Sequence, residues 1–365
     1  MRLIPTIRIK NWLRYVKNFT LNKFTERKVP YSAQIELTLR CNASCPFCSF
    51  PLMPHSLSSN EMTTDQVKFI IDQIADLGVN CLSFTGGEPT LRKDLPELIY
   101  YTGIVHDFIN GIATNGYLMP KLFKENGKLE GLDYILLSLD YPTPDLHDRK
   151  RGIKVFDKVL ETIELATKRD VKVIISTVVM KDNLSLLEKV CELAEKLNCS
   201  IELFPCENIV REFYGKKYYI ENVNDMIPQI PIWANTIRNL KTKFKNILTD
   251  LITIKVIEQG GFGGNSKFYQ DILRCNVAES YLFVSYDGLV DYPCKIHPIN
   301  SFNALIHPLS KIYNSKEVRS IMEQHDSYDF CNGCRLGCSI ASSLPAKWKT
   351  LAVKYILGYL NGNLS

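Results

Sequence analysis

The sequence has no long hydrophobic run. No uninterrupted apolar stretch in its 365 residues approaches the ~18 residues that a membrane-spanning helix needs, so we expect no transmembrane segment. An N-terminal signal peptide pattern is also missing. Twelve cysteines would suggest disulfide bonds in a small secreted protein, but without such a signal they indicate a reducing compartment. We therefore expect a cytoplasmic protein.

The net charge is small and unevenly distributed. The whole chain carries +5, yet residues 1–28 hold eight Lys or Arg against one Glu, and residues 341–365 hold three Lys and no acid. The remainder is therefore mildly acidic. This distribution argues against a nucleic-acid groove through the body of the protein, and it favours two ends that contact an anionic surface.

Both basic ends also show the pattern of an amphipathic helix. The apolar faces consist of Ile9, Trp12, Leu13, Val16 and Phe19 or Thr20 near the N-terminus, and of Trp348, Leu351, Ala352, Tyr355, Ile356, Tyr359 and Leu360 near the C-terminus. Basic amphipathic helices that contain Trp bind well in a lipid interface. We expect peripheral attachment to the inner face of a membrane. The alternative is that each helix packs against its own domain.

Eight of the twelve cysteines fall into two groups. The first is Cys41, Cys45 and Cys48, at a C-x3-C-x2-C spacing directly after a strand-like run. Thiolates favour zinc or iron-sulfur clusters. A structural zinc site is usually closed by four ligands, and no fourth partner lies nearby in the sequence. The spacing therefore predicts a [4Fe-4S] cluster with one iron open to a small chelating molecule.

This cysteine spacing, with the aromatic residue Phe47 before the last cysteine, resembles the signature of the radical S-adenosylmethionine (radical SAM) superfamily. The resemblance implies that S-adenosylmethionine chelates the open iron and is cleaved by an electron from the cluster. The resulting 5′-deoxyadenosyl radical would abstract hydrogen from an unactivated C–H bond. It also implies an electron donor such as ferredoxin or flavodoxin, and it assigns adenine contact to Phe47, mostly through the backbone.

Strand-like and helix-like stretches alternate from residue 31 to about 210. The six strand-like stretches are Ser32–Leu39, Asn80–Phe84, Phe108–Ala113, Tyr134–Leu139, Val171–Val179 and Ile201–Phe204. The clearest helix runs from Thr64, as its N-cap, to Leu77, with Gly78 as its C-cap. Six βα units predict an α/β fold with a parallel sheet. The resemblance implies a partial (βα)6 TIM-like barrel with its cofactors at the strand C-terminal ends.

The segment Thr85–Pro89 follows the second predicted strand and reads Thr-Gly-Gly-Glu-Pro. Glycines at a strand end allow close approach to a ligand, and a carboxylate beside them can accept hydrogen bonds from an ammonium group. Here the segment matches the family's Gly-Gly-Glu motif. The resemblance therefore implies that Gly86, Gly87 and Glu88 bind the methionyl end of S-adenosylmethionine, with Glu88 as the acceptor for its amino group.

Polar residues also follow the later strands. The resemblance implies that Ser138 or Asp140 contacts the ribose, although the family often has glycine where this chain has Tyr141. Three more polar residues lie on or after the last two strands and either line the pocket or serve the structure alone. They are Thr177, Asn183 and Glu202.

The second group of cysteines is Cys275, Cys294, Cys331, Cys334 and Cys338. Asp287-Gly288 predicts a hairpin between Tyr281–Ser285 and Leu289–Tyr292, which would bring Cys275 near Cys294. With the Cys331/Cys334 pair, four thiolates complete a closed site, and Cys338 is a spare, an alternative ligand or structural. The order resembles the twitch domain, a shortened relative of SPASM, which implies one auxiliary [4Fe-4S] cluster. Zinc is the alternative, because C-x2-C pairs suit it equally.

These patterns divide the chain into five parts. They are a basic amphipathic segment (1–30), the radical SAM core (31–215), a connecting region (216–270), a small hairpin-containing auxiliary-cluster domain (271–340) and an amphipathic helix (341–365). The connecting region contains Gly260–Gly264, which lacks the G-x-G-x-x-G spacing of a phosphate loop, so we expect a lid or a plain turn there.

The ends of the chain bear on the substrate. Two basic amphipathic ends favour a membrane lipid or a polyprenyl-type chain, which is our first hypothesis. Peptide modification is the alternative: it is common among relatives with auxiliary clusters, but about 30 residues before the barrel leave no room for a leader-binding domain. A hypothesis of another class is a non-catalytic iron-sulfur or zinc scaffold, or a redox relay. No catalytic acid, base or hydrogen donor can be named from the sequence.

Overall fold

The computed structural model describes residues 14, 17, 18, 20, 28–127, 129–213, 216–262, 274–324 and 326–343. Apart from Thr20, the residues of the two amphipathic faces predicted at the ends of the chain lie outside these residues. Among the described residues, none of the helices combines the length and apolar character that crossing a bilayer requires.

In the part of the chain that the structure describes, a nine-stranded sheet organises the fold, with the strand order β11-β10-β9-β1-β2-β3-β4-β5-β6. The first six strands are parallel, so the predicted parallel sheet is confirmed. Its strands are β1 (Ser32–Glu36), β2 (Cys81–Thr85), β3 (Ile109–Thr114), β4 (Tyr134–Ser138), β5 (Lys172–Val179), β6 (Ser200–Pro205), β9 (Tyr281–Val284), β10 (Leu289–Pro293) and β11 (Pro298–Asn303). A separate hairpin pairs β7 (Arg211–Phe213) with β8 (Lys216–Tyr218).

Helices connect the strands. Within the described residues the α-helices are α1 (Thr64–Leu77), α2 (Leu95–Tyr100), α3 (Met119–Glu125), α4 (Pro144–Arg151), α5 (Phe156–Thr167), α6 (Leu187–Lys196), α7 (Ile230–Lys243), α8 (Leu251–Glu258), α9 (Val277–Ser280), α10 (Leu309–Tyr313), α11 (Lys316–Gln324) and α12 (Gly337–Ser343). A π-helix, Tyr101–Val105, continues α2.

The first helix shows how the sequence specifies these elements. Its N-cap is Thr63 rather than the predicted Thr64, because the Thr63 hydroxyl accepts from the Gln66 amide and the Gln66 side chain accepts from the Thr63 amide. Gly78 ends the helix in the left-handed region at φ +90°, as predicted. The buried face consists of Val67, Ile70, Ile71, Ile74 and Leu77. Each such side chain contributes about 1.5–3 kcal/mol of burial free energy.

Residues of the barrel strands alternate between two environments. In β4, Ile135 and Leu137 are fully buried in the main core against the helices, whereas Tyr134, Leu136 and Ser138 are partly exposed on the other face. That second face lines the interior of the partial barrel. Side chains on it are therefore available to a ligand.

The predicted hairpin is confirmed, but its position was not foreseen. Gly288, at φ +82°, turns β9 back into β10, and β9 pairs in parallel with β1. The auxiliary region thus extends the barrel sheet from its first strand. β11 was missed, because Pro298–Asn303 alternates weakly and holds several polar residues.

Candidate active site

The first cysteine group lies on the loop that follows β1. The Cys48 amide donates to the Cys45 carbonyl (3.1 Å), and the Ala43 amide donates to Cys41 Sγ (3.4 Å). Cys45 is buried, and the other two cysteines are partly exposed. Burial raises the pKa of Cys41 to about 12. Burial also raises the pKa of Cys45, an effect that the neighbouring Arg151 guanidinium opposes.

Arg151, at the end of α4, packs against this loop, and sequence reasoning missed it. Its carbonyl accepts from the Ser44 amide (3.0 Å), and its Nη1 lies 3.9 Å from Cys45 Sγ. The guanidinium also lies 5.4 Å from the centre of the Phe47 ring. Three consecutive basic residues end α4, a pattern that is typical of any solvated helix end. Only the tertiary structure distinguishes the buried one.

Asp140, a predicted ribose contact, forms a buried ion pair with Arg151 at 2.7 Å. Asp140 Oδ1 also accepts from the Val178 amide (2.9 Å), and the Asp140 amide donates to His147 Nδ1 (3.2 Å). Burial and the Arg151 charge lower the pKa of His147 to about 3. The structure therefore gives the Asp140 carboxylate partners within the protein, while its contact with ribose stays a prediction.

Glu88 is fully buried and accepts four hydrogen bonds. Its Oε1 accepts from the Thr90 amide (3.1 Å), the Thr90 hydroxyl (2.6 Å) and the Thr114 hydroxyl (2.7 Å), and its Oε2 accepts from the Asn115 amide (2.7 Å). Burial raises the pKa of Glu88, and these donors oppose the shift. Oε2, with a single donor, retains acceptor capacity for a ligand.

The two glycines before Glu88 are required by the approach of the cysteine loop. The Gly87 amide donates to the Thr38 carbonyl (2.8 Å), and the Glu88 amide donates to the Arg40 carbonyl (2.8 Å). A Cβ atom at Gly86 would lie 2.4 Å from the Thr38 oxygen, and one at Gly87 would lie 2.3 Å from the Arg40 oxygen. Any side chain here would push the cysteine loop away from the Gly-Gly-Glu segment.

The three polar residues on the last strands have different environments. Thr177 donates to the Leu139 carbonyl, and Asn183 donates to the Asp140 and Val178 carbonyls, so both stabilise the strand ends. Glu202 lies in register with Ser176, and Ser176 lies in register with Ser138. Ser138, Ser176 and Glu202 thus form one row on the barrel interior. Burial raises the pKa of Glu202 to about 7.

The structure brings four cysteines of the second group to one cavity. Its lining includes Cys275, Cys294, Cys331 and Cys334, together with the stacked rings of His297 and Phe330 and several apolar side chains. The Cys334 amide donates to the Cys331 carbonyl (3.1 Å), which repeats the Cys45–Cys48 turn. Nowhere in the described residues do three Cys, His, Asp or Glu side chains converge tightly enough to hold a single metal ion. The Cys338 side chain lies outside the described residues.

Burial raises the pKa of Cys275, and it raises the pKa of Cys331 to about 12. The neighbouring thiols act in the same direction in both cases. A thiolate at either position therefore requires a compensating positive charge, which a metal centre supplies.

The loop that carries Cys331 and Cys334 contacts earlier parts of the chain through Phe262 and Arg335. Phe262 exchanges backbone hydrogen bonds with the loop: its amide donates to Cys334 (2.8 Å), and its carbonyl accepts from Gly333 (2.9 Å). The described part of the predicted lid or turn, residues 260–262, is thus bound to this loop. On the other side, Arg335 pairs with Glu207 just after β6 at 3.1 Å.

Comparison with known proteins decides the family. The Radical SAM superfamily profile matches residues 35–194, and the SPASM iron-sulfur cluster-binding domain matches residues 275–335. The AdoMet-dependent heme synthase of Methanosarcina barkeri is 35% identical over 82% of this chain and 86% of its own length. This chain belongs to the radical SAM superfamily. It is therefore an enzyme rather than a scaffold, and it uses S-adenosylmethionine and [4Fe-4S] clusters.

Other radical SAM proteins agree in sequence or fold. The PqqA peptide cyclase of Bradyrhizobium diazoefficiens is 30% identical over 72% of this chain and 70% of its own length. Streptococcus suis SuiB, solved with the precursor peptide SuiA, superposes with a TM-score of 0.62 at 15% identity, covering 95% of this chain and 77% of SuiB. AdoMet-bound anSMEcpe gives a TM-score of 0.58 at 18% identity, covering 91% and 94%. The predicted fold class is confirmed.

The residues of this radical SAM chain fit the cofactors. Three thiols on one loop and four in one cavity are the ligand type that iron-sulfur clusters take. Arg151 Nε is buried without a hydrogen-bond acceptor among the described side chains, which leaves a donor for an anionic group of a ligand. The close packing at Gly86 and Gly87 holds Glu88 beside the cysteine loop.

Proposed function

We propose that this radical SAM enzyme modifies a peptide. Three curated relatives that match it at 28–35% identity are named PqqA peptide cyclases, and this recurrence carries the proposal. The lipid or polyprenyl substrate that we expected from the amphipathic ends has no counterpart among these relatives. Those ends also lie largely outside the described residues. The peptide alternative therefore replaces the lipid hypothesis.

In this proposal the cofactor residues divide into three sets. Cys41, Cys45 and Cys48 would hold the cluster that binds S-adenosylmethionine, and Cys275, Cys294, Cys331 and Cys334 would hold one auxiliary cluster. Glu88 and Arg151 would bind the charged ends of S-adenosylmethionine, because a buried acceptor and a buried donor with remaining capacity both contact the segment that carries the cysteines. The five-part division of the chain is part of the same proposal.

When bound, the cluster and S-adenosylmethionine supply the electron transfer and the hydrogen abstraction. The protein's part is to orient the peptide and exclude water. The interior row of Ser138, Ser176 and Glu202 offers hydrogen-bonding groups to a peptide inside the barrel. The auxiliary cavity lies beyond β6, where Glu207 pairs with Arg335. We expect the peptide to enter between the interior row and the auxiliary cavity.

A second candidate has its own support. The heme synthase relative matches at 35% identity over 82% of this chain, which is more of the chain than any of the three cyclases covers. The corresponding substrate would be a heme precursor. An electron donor such as ferredoxin or flavodoxin and a peripheral membrane contact both remain predictions under either candidate.

The test uses anaerobically reconstituted full-length protein with S-adenosylmethionine and dithionite. Two substrates are offered in parallel: synthetic peptides encoded beside the gene together with PqqA peptide, and a heme precursor. 5′-Deoxyadenosine and substrate mass are followed by mass spectrometry. Peptide-dependent 5′-deoxyadenosine with loss of hydrogen from the peptide supports the proposal. Turnover of the heme precursor alone contradicts it and supports the second candidate. The Cys41/Cys45/Cys48→Ala triple variant is the control.

A further inference from the structure

A buried ion pair lies directly beside one cysteine of the core loop. Arg151 Nη2 is 2.7 Å from Asp140 Oδ2, and Arg151 Nη1 is 3.9 Å from Cys45 Sγ. The Arg151 side chain is 9% exposed and the Asp140 side chain is fully buried. Cys45 is itself buried. The positive charge of Arg151 therefore lies next to the Cys45 sulfur, and the negative charge of Asp140 pairs with it.

Backbone contacts fix the position of the pair. The Arg151 carbonyl accepts from Ser44, the neighbour of Cys45. Asp140 Oδ1 accepts from the Val178 amide (2.9 Å), and the Asp140 carbonyl accepts from Asn183 Nδ2 (3.1 Å). The preceding residue on α4 behaves differently: within the described residues, Lys150 pairs with Asp182 at 2.5 Å and not with the cysteine loop. Only one of the two adjacent cations thus serves Cys45.

The charge of a reduced cluster is more negative than that of the oxidised cluster. A nearby positive charge, or a hydrogen bond to a ligand sulfur, stabilises the reduced form, and a nearby negative charge opposes it. These interactions are strong where burial excludes water, because the effective dielectric constant is low there.

We propose that Arg151 is a positioning residue that acts through Cys45 to raise the reduction potential of the core cluster, and that Asp140 both anchors Arg151 and limits this effect. The inference rests on the proposed assignment of Cys45 as a cluster ligand. It concerns the electron-transfer step of the enzyme and not its substrate, so it holds for a peptide or a heme precursor alike.

The test is an anaerobic redox titration of the reconstituted full chain, followed by electron paramagnetic resonance and run without S-adenosylmethionine. The core signal is identified beforehand as the one that changes when S-adenosylmethionine is added. The variants are Arg151→Gln, Asp140→Asn and the double variant, with Lys150→Gln as a control that removes an adjacent charge of the same sign. The auxiliary cluster in each sample serves as an internal reference.

We expect Arg151→Gln to make the core potential more negative and Asp140→Asn to make it more positive. Each single substitution should change the equilibrium constant for one-electron reduction of the cluster about tenfold, which corresponds to about 59 mV in the reduction potential. The double variant should lie between them, and Lys150→Gln should match the wild type. A general disturbance of the loop would shift the core potential of both single variants in the same direction. The proposal is therefore overturned if the two potentials shift with the same sign or do not shift.

The double variant keeps the test valid if one single variant fails to fold, because it replaces a charged pair by a neutral pair of similar shape. The core potential of the double variant is then compared with that of the single variant that folds, and the difference between them tests the proposal. Cys45→Ala separates the two levels of inference by its iron content. Full iron content would show that Cys45 is not a ligand and would refute the assignment itself. If Cys45→Ala loses iron but the core potentials of Arg151→Gln and Asp140→Asn do not shift in opposite directions, only the role of Arg151 is refuted.

Discussion

Gly152 lies directly against Ser44: a Cβ atom at position 152 would be 1.9 Å from Ser44 Oγ. Gly152 has φ +67°, the left-handed conformation that ends α4. It follows Arg151, whose carbonyl accepts from the Ser44 amide. The end of α4 and the cysteine loop therefore depend on each other at one residue that tolerates no side chain.

Gly152→Ala should destabilise the protein and lower the iron content of the core cluster. The left-handed conformation alone costs an alanine about 1–2 kcal/mol, and the new methyl group must also displace Ser44. Gly127→Ala is the matched control, since Gly127 has φ +59° and nothing within 4 Å of a Cβ atom. Thermal unfolding and iron analysis compare the two. Equal losses of stability with unchanged iron would show that the Ser44 contact is unimportant.

Glu88→Gln should cost about 1–3 kcal/mol of stability, because it leaves a buried donor without an acceptor. In either orientation of the new amide, its NH2 group faces a backbone N–H, that of Thr90 or that of Asn115, and neither can rotate away. Chemical denaturation measures the loss. Glu97→Gln is the control, since that exposed carboxylate pairs with Lys68 at the surface and its loss should cost less than about 1 kcal/mol.

The two cysteine groups should each account for half of the iron. Cys331→Ala with Cys334→Ala should halve the iron content but leave the signal that responds to S-adenosylmethionine, because the core loop is on a different element. The core triple variant should lose the other half together with all cleavage of S-adenosylmethionine. Iron analysis and electron paramagnetic resonance check both. An auxiliary variant that keeps its full iron content would contradict the four-thiolate assignment.

Local sequence patterns predicted the framework well. Six runs of β-branched and apolar residues became the six parallel strands, and Gly78 and Gly288 took the left-handed conformations that their positions indicated. The relationships that were missed are between distant segments. The pairing of β9 with β1 and the burial of Arg151 beside Cys45 leave no local periodicity, since each depends on segments that are over a hundred residues apart.

Local sequence patterns also predicted some features of the site and missed others. Cysteine spacing and the Gly-Gly-Glu motif located the cofactor loops, because their chemistry depends on residue type and spacing. Thr177, Asn183 and Glu202 looked equivalent in sequence, yet Thr177 and Asn183 hold strand ends together, whereas Glu202 lies in the interior row. Strand register, which decides this, is a property of the folded sheet.

Glu202 should make stability depend on pH. Burial raises its pKa from 4.5 to about 7, so the folded protein holds this proton more tightly than the unfolded chain does. The stability contributed is fully present below pH 4.5 and is lost as the pH rises through 7. A shift of this size corresponds to about 3 kcal/mol at most. Relative to the wild type, Glu202→Gln should therefore become progressively more stable between pH 4.5 and pH 7.

Urea denaturation at a series of pH values, on wild type and Glu202→Gln, measures the difference. Glu212→Gln is the control, because it removes a carboxylate from an exposed position on the β7–β8 hairpin. A flat difference between Glu202→Gln and wild type across this range would mean that the Glu202 carboxyl is solvated. It would then not be a buried carboxyl with a raised pKa on the barrel interior, which is the group that we expect a substrate to contact.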